Sequence, residues 1–464
     1  MSESNDNARQ ATLGNYISYG IYRGFERLLK PIPMELVCVI GGGIGTLGSY
    51  LLPSRRKMVI RNLRIAYGEQ LSRNEIHSLC RKVFWRSGAN FLSAIRANTM
   101  KPDDLHKRME IVGTENLEAA RTPDTGFILL LAHMGSWEIL VQMHLIVEGL
   151  LPFGGLYRPL GNPLLDKLVK RRRQKTGTKL FSRADGFFTP IAHLKEGGTL
   201  GAFSDQNAGS SGMSVPFFGK RASMTNLPSL LHRRTGAPII PVSMETVSHG
   251  RWRVVVHPAI EISDDEKTNA ALTTSLCAQA FERMMSISPA DVLWMHGYWK
   301  VGTKRPLKID GVLKKKNASR LAPATKPFKV LVFTGTESEE SDEILEQIHR
   351  LKNYRDDIEI TVAGESIVSP DAVHHITMDP SEPPHIVAHK ILNYNREMTT
   401  PLDCAIDFTQ DASGENILKL SEVKPVFAMS GAHYSRSTAI TFKDPEKRNL
   451  AGFLESLGIN AEAD

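Results

Sequence analysis

The sequence predicts an α/β protein: a mixed sheet flanked by helices, followed by a smaller β/α domain. Three observations predict it. Short apolar runs alternate with helical stretches between about residues 110 and 260, and again from Phe328 onward. A stretch rich in Lys and Arg, ending in Ala-Pro-Ala-Thr-Lys-Pro, separates the two runs at residues 301–327. The charge divides at the same place. From Phe328 to the end there are 12 Lys/Arg against 24 Asp/Glu, and before it 45 against 26, giving net charges of −12 and +19.

The length of 464 residues suits two domains, and 41 % hydrophobic with 23 % charged residues excludes both a disordered chain and a multi-span membrane protein. A basic first part seeks a polyanion: nucleic acid, anionic lipid or an acidic protein. Cys38, Cys80, Cys277 and Cys404 lie far apart. They exclude a disulfide framework or a zinc–cysteine site and suit a reducing compartment.

Taken in order, residues 1–53 form an N-terminal helical, membrane-associated segment. Its uncharged run Leu36–Leu52 is followed at once by Arg55, Arg56 and Lys57. At 17 residues it sits at the lower limit for a membrane span; an interfacial or buried hairpin is the other reading. Residues 54–305 form the first sheet domain. Helices are expected at Arg56–Ala66 and Asn74–Arg96, the second opened by the capping sequence Ser-Arg-Asn-Glu at Ser72. Strands are expected at Phe127–Ala132, Leu151–Tyr157, Thr199–Ser204, Pro238–Ser243 and Trp252–His257. Helices between them are expected at Trp137–Val147, Leu164–Thr176, Pro190–Glu196 and Asn226–Thr235. Residues 306–327 are the core of the basic linker, and residues 328–464 the second domain, with strands at Lys329–Phe333, Ile358–Ala363 and Cys404–Phe408.

The chemistry concentrates at Leu129–Glu138. A buried strand ends and His133 emerges where open α/β sheets place their sites. Glu138, five positions on, is placed to fold back toward the imidazole, fix its tautomer and stabilise the imidazolium. That pair turns an alcohol into a nucleophile; a surface His near a helix-start Glu is the plain alternative. Ser136 reads as a helix cap, and a backbone amide near Gly135 as an oxyanion donor. Arg158, after a strand and before Pro159, suits a phosphate or carboxylate. Asp205 and Gln206 follow a strand and are candidates to orient Arg158 or a substrate hydroxyl. Phe217, Phe218 and Gly219 form a stiff apolar wall for a substrate groove, or simply core. Lys167, Lys170, Arg171, Arg172, Arg173 and Lys175 form a basic stripe. With no aromatic interleaving, the stripe disfavours nucleic acid and favours an acidic protein or anionic lipid. No metal site and no phosphate-cradling glycine loop is expected, and no cofactor.

These elements together resemble a known family. His133 to Glu138 resembles the H-x-x-x-x-D/E motif of the lysophospholipid acyltransferase superfamily. Residues 15–305 resemble its lipid A branch, the lauroyl/myristoyl acyltransferases of Gram-negative bacteria. The similar blocks are RRKMVIRNLRIAYGE (55–69), LYRPLGNPLLDKLVKRRR (156–173), FSDQN (203–207) and VPFFGKRASMTNLP (215–228). WMHGYWK (294–300) departs, with Gly297 and Tyr298 following His296 where the family usually has Arg beside the His. The resemblance implies His133–Glu138 base catalysis and acyl transfer from acyl carrier protein, or CoA, to a hydroxyl of a lipid A precursor. The place would be the cytoplasmic face of the inner membrane. Another envelope lipid as acceptor, or a silent membrane scaffold, are the alternatives. The second domain resembles the N-terminal half of heptosyltransferase-like glycosyltransferases through KVLVF (329–333), IEITVAG (358–364) and residues 404–432. It is expected to be Rossmann-like, a degenerate binding or scaffolding module without catalytic residues.

Overall fold

The structure, a computed structural model, describes residues 11–182, 186–301, 324–335, 341–354, 357–365, 369–379, 381–409, 413–428 and 439–441. The chain divides into two compact units. One comprises Met1–Val59, His77–Gln206 and Met224–His296; the other comprises Ile60–Ile76, Asn207–Ser223 and Gly297–Asp464.

Four helices open the chain: α1 (Leu13–Leu29), α2 (Met34–Leu51), α3 (Pro53–Tyr67) and α4 (Arg73–Ala97). The expected capping box opens α4: Ser72 N donates to the Glu75 carboxylate at 2.8 Å while Ser72 Oγ accepts from Glu75 N at 3.4 Å. α2 is the apolar run, and among the described residues the one helix long and apolar enough to cross a membrane. Short helices α5 (Pro102–His106) and α6 (Glu115–Ala119) bracket the first strand, β1 (Met109–Val112).

The first unit is built on a seven-stranded sheet of order β1-β9-β8-β2-β5-β3-β4. Its strands after β1 are β2 (Ile128–Leu131), β3 (Phe153–Tyr157), β4 (Lys179–Ser182), β5 (Thr199–Phe203), β8 (Ile239–Ser248) and β9 (Arg251–Val256). Neighbours are parallel except the hairpin pair β8–β9. β2 reads Ile-Leu-Leu-Leu and is wholly buried, as a central strand covered on both faces must be. Helices α7 (Pro163–Lys175), α8 (Phe188–Lys195), α9 (Leu227–Thr235) and α11 (Ala270–Ile287) flank the sheet, with α10 (Asp264–Thr268) leading into α11. The expected helix after β2 is a 3-10 helix, Trp137–Leu145. The sequence reading missed β1, β4 and α11.

The second unit contains the hairpin β6–β7 (Met213–Phe217 and Lys220–Met224, up to its boundary at Ser223) and a six-stranded parallel sheet. The sheet holds β10 (Phe328–Gly335), β11 (Ile358–Gly364), β12 (His374–Thr377), β13 (Cys404–Asp407), β14 (Val426–Ala428) and β15 (Ala439–Thr441). Its order, β12-β11-β10-β13-β14-β15, reverses direction between β10 and β13, as doubly wound sheets do. Helices α12 (Ser341–Tyr354), α13 (Pro384–Glu397) and α14 (Ser413–Leu420) connect the strands. β10 is buried along its whole length, with apolar clusters on both faces.

Most of the expected basic linker, residues 302–323, lies outside the described residues. Lys326, expected on a solvated tether, is instead buried and donates to the Ile65 carbonyl at 2.7 Å. All four cysteines are free and buried.

Candidate active site

The register of two central strands builds the site. β2 and β5 run parallel with Leu131 opposite Phe203. Two residues past each partner, on the same side of the pleat, stand His133 and Asp205. The His133 Nδ1–H donates to Asp205 Oδ1 at 2.6 Å, and the His133 backbone N–H donates to Asp205 Oδ2 at 3.0 Å. Both carboxylate oxygens are thus spent on one residue, and Asp205 is only 1 % exposed. This pairing fixes the tautomer and leaves the Nε2 lone pair facing outward. Gln206, exposed, donates its side-chain N–H to His133 Nε2 at 3.3 Å and to His296 Nε2 at 3.0 Å. The ring of Phe203 lies 4.8 Å from the imidazole and that of Trp137 lies 5.7 Å away.

Electrostatics follow from this geometry. Burial opposes protonation of His133, but the Asp205 carboxylate outweighs it and, helped by the more distant Glu138, raises the pKa above the usual histidine value. Burial likewise works against ionised Asp205, and the His133 ring, its hydrogen bond and the His133 backbone N–H overcome it and hold the carboxyl below its ordinary value. His296 is lowered by burial, opposed by Asp205 and reinforced by His133 and Arg55. The site thus sets a histidine of raised pKa on a buried carboxylate of lowered pKa, beside a second histidine whose pKa is lowered.

The loop carrying His133 is braced by residues 291–296. The His133 carbonyl accepts from Leu293 N at 2.9 Å, and Gly135 N donates to the Asp291 carbonyl at 2.9 Å. Gly135 has φ +59, and a side chain there would meet the Met244 carbonyl at 2.6 Å, so only glycine makes this turn. The Asp291 carboxylate accepts from Thr246 N, Thr246 Oγ1, Ser288 Oγ and Asn90 Nδ2, at 2.6 to 3.2 Å. Its cluster ties the brace to α4 and β8.

Several expectations need correction. The carboxylate on the His133 ring is Asp205, not Glu138. Glu138 lies in the first turn of a tight 3-10 helix with its side chain exposed, where it pairs with Arg173 at 2.9 Å. The bonds shown for Asp205 run to His133, and none joins it to Arg158 among the described residues. Ser136 makes no cap bond; it is buried, donating to the Asn90 carbonyl at 3.3 Å. The Gly135 amide is engaged by Asp291, so it is not a free oxyanion donor. Phe217 and Phe218 belong to the second unit. There they pack into an aromatic core with Tyr67, Tyr298 and Trp299, the burial such large apolar side chains favour, rather than lining an open groove. Gly219, with Phe218, forms the left-handed turn between β6 and β7.

Arg158 follows β3, is exposed, and has no protein partner among the described residues. The stripe on α7 splits in two. Lys170 pairs with Asp166, Arg172 with Glu26 and Arg173 with Glu138. Lys167, Arg171 and Lys175, spaced by four, form an exposed row without an acid partner among the described residues. His296 and Arg55 were not foreseen as site residues. Arg55 donates to the Met295 carbonyl at 3.5 Å, beside His296. The signal for His296 lay in the WMHGYWK block itself. No group of three or more metal-ligating side chains gathers among the described residues.

The chain is similar in sequence to known proteins. A family model described as bacterial lipid A biosynthesis acyltransferase matches residues 8–301. The chain is similar to the lipid A biosynthesis lauroyltransferase of Escherichia coli, 25 % identical over 278 residues, 59 % of this chain and 88 % of that protein. It is similar to a lipid A biosynthesis acyltransferase of Haemophilus influenzae, 24 % identical over 60 % of this chain and 86 % of the relative. A phosphatidylinositol mannoside acyltransferase of Mycobacterium tuberculosis is 24 % identical over 47 % of this chain and 66 % of its own length.

Proposed function

Because the chain belongs to the bacterial lipid A biosynthesis acyltransferase family, and is therefore an acyl-transferring enzyme, we propose that it moves a fatty acyl chain from a thioester to a hydroxyl of a lipid A precursor. The donor is acyl carrier protein or CoA, and the place is the cytoplasmic face of the bacterial inner membrane. The observation that carries the mechanism is the Asp205–His133 pair with Nε2 left open to an exposed partner.

His133 Nε2 takes the proton from the acceptor hydroxyl, displacing the Gln206 amide, while Asp205 steadies the imidazolium. The oxygen attacks the thioester carbonyl, forming the C–O bond. The tetrahedral intermediate collapses, the C–S bond breaks, and the departing thiolate takes the proton back from His133. The Gln206 side-chain N–H is the donor we assign to the oxyanion. Glu138 acts at longer range, as a negative charge supporting protonated His133 and as the anchor of Arg173. Arg158 receives an acceptor phosphate. Lys167, Arg171 and Lys175 receive the acidic carrier protein, since they are the unpaired part of the α7 stripe. The six-stranded domain is a Rossmann-like binding or scaffolding module to which no catalytic residue is assigned.

A second reading keeps the chemistry and changes the acceptor. The similarity to a phosphatidylinositol mannoside acyltransferase favours a glycolipid hydroxyl for that alternative. The test is transfer of labelled acyl groups from acyl carrier protein, and separately from CoA, to a lipid A precursor, a lysophospholipid and a phosphatidylinositol mannoside. Label on the lipid A precursor is expected. Label only on another lipid transfers the same mechanism to that acceptor, and no label on any leaves a non-catalytic scaffold.

A further inference from the structure

α2 passes as a membrane span by length and composition, yet its packing ties it to the globular surface. One face is glycine, and it is pressed against α4. A Cβ on Gly41 would sit 2.5 Å from the Gly88 carbonyl oxygen, and the Trp85 ring covers Gly42. Such contact is closed to any larger residue, so the two helices move as one piece. α4 carries Arg73, Arg81, Lys82, Arg86 and Arg96 and cannot enter hydrocarbon with its partner. Eighteen helical residues also reach only about 27 Å, short of the ~30 Å apolar layer. The opposite face of α2, with Ile44, Leu47, Tyr50 and Leu51, is exposed, as are Leu13, Ile17 and Ile21 of α1. Exposed apolar faces of this extent mark a contact surface.

Beside α2 lies an open cavity of about 630 Å³, lined by Thr46 of α2, by Arg81, Lys82, Trp85 and Arg86 of α4, and by His249. Arg81 and Trp85, and Lys82 and Arg86, are i,i+4 pairs, so the cations and the indole share one wall. No carboxylate among the described residues pairs with any of the three cations. The exposed Val247 stands next to the Ser248 and His249 that close the rim. Unpaired cations and a Trp at the border of an apolar face are the chemistry of an interfacial anion site.

We propose that α2 lies in the plane of the bilayer surface and that this cavity takes the phosphate of an anionic membrane lipid. The inference rests on the membrane association stated above and adds its orientation and its ligand. The cavity is distinct from the acceptor site, because none of its lining residues belongs to the His133, Asp205, Gln206 and His296 cluster.

The test is binding of the full chain to vesicles of equal parts phosphatidylglycerol and phosphatidylcholine, and to vesicles of phosphatidylcholine alone. Wild type is compared with the triple variant Arg81→Gln/Lys82→Gln/Arg86→Gln and with Lys195→Gln/Arg233→Gln/Arg234→Gln, which removes the same charge from α8 and α9. The cavity variant should bind the anionic vesicles about tenfold more weakly, keep its affinity for the neutral ones and keep wild-type acyl transfer in detergent micelles. The control variant should stay within about twofold of wild type on both vesicles. Equal losses in the two variants would reduce the effect to general charge and overturn the proposal. So would wild type binding both vesicle types alike, or a fall of transfer in micelles, which would make the cavity an acceptor site. Wild type bound to neither vesicle would remove the membrane reading itself, and the proposal with it.

Discussion

At the scale of single residues, two carboxylates compete for the role of histidine partner, and geometry separates them. Asp205 is buried and gives both oxygens to His133, whereas Glu138 is exposed and held by Arg173. Asp205→Asn should therefore lower kcat by about 10³-fold, because the base loses both its tautomer lock and its counter-charge. Glu138→Gln should cost far less, about tenfold, by the same accounting of one distant charge. Steady-state rates of the two variants with a common donor and acceptor check the ranking, and equal losses would restore His133 and Glu138 as the working dyad. The pH profile gives an independent reading. The base works only when neutral, and its pKa is raised, so activity should climb with pH along a limb above the ordinary histidine range. In Asp205→Asn the counter-charge is gone, so that limb should move to lower pH even as the plateau falls. An unmoved limb would show that the titrating group is not His133.

At the scale of elements, the α7 helix makes the donor prediction. Its exposed cations recur every four residues, while their neighbours on the helix are tied to Asp166, Glu26 and Glu138. Lys167→Gln/Arg171→Gln/Lys175→Gln should raise KM for an acyl carrier protein donor about tenfold and leave kcat in place. KM for the small CoA donor should change much less; equal rises for both donors would place the row at the thioester rather than at the carrier. The α2–α4 contact makes a stability prediction. Gly88→Val drives a branched side chain into the Gly41 carbonyl and the Gly45 backbone and should cost about 1–3 kcal/mol, read as a lowered Tm.

Elements are also where the sequence spoke most clearly. The apolar runs at Phe127–Ala132 and Thr199–Ser204 announced the buried strands β2 and β5, and the Ser72 capping sequence announced the start of α4. Periodicity reports burial along one strand, but it does not report which strand lies beside it. The Leu131–Phe203 pairing that brings Asp205 to His133 spans 72 positions, so the pair was invisible and the nearer Glu138 stood in for it. β4 was missed because only four half-exposed residues form it, and α11 because its Ala- and Thr-rich sequence has no sharp apolar stripe. Asp205 and Gln206 stood out at the end of a strand and within the FSDQN block, but neither signal named their partner.

At the scale of the whole molecule, the charge changes sign near residue 328, whereas the compact units divide the chain differently. Residues 60–76 and 207–223 gather with the C-terminal strands. Within that unit the buried Asp403 carboxylate accepts from Lys220 Nζ at 2.5 Å and from Arg61 at 2.7 Å, and also from Lys329 N. Burial pushes the Lys220 ammonium down and Asp403 opposes it. Asp403→Ala leaves a buried cation unpaired and should cost about 3–5 kcal/mol of stability, measured by denaturant unfolding. A change under about 1 kcal/mol would mean that solvent reaches the pair.

The central claim is that His133 is the base of a lipid O-acyl transfer. It is tested most directly by the rate of labelled acyl transfer from acyl carrier protein to a lipid A precursor, in wild type and in His133→Ala. The account predicts transfer by wild type and a fall of about 10³-fold or more in the variant, with the variant's fold and membrane binding unchanged. Transfer by His133→Ala at a rate near that of wild type would contradict it.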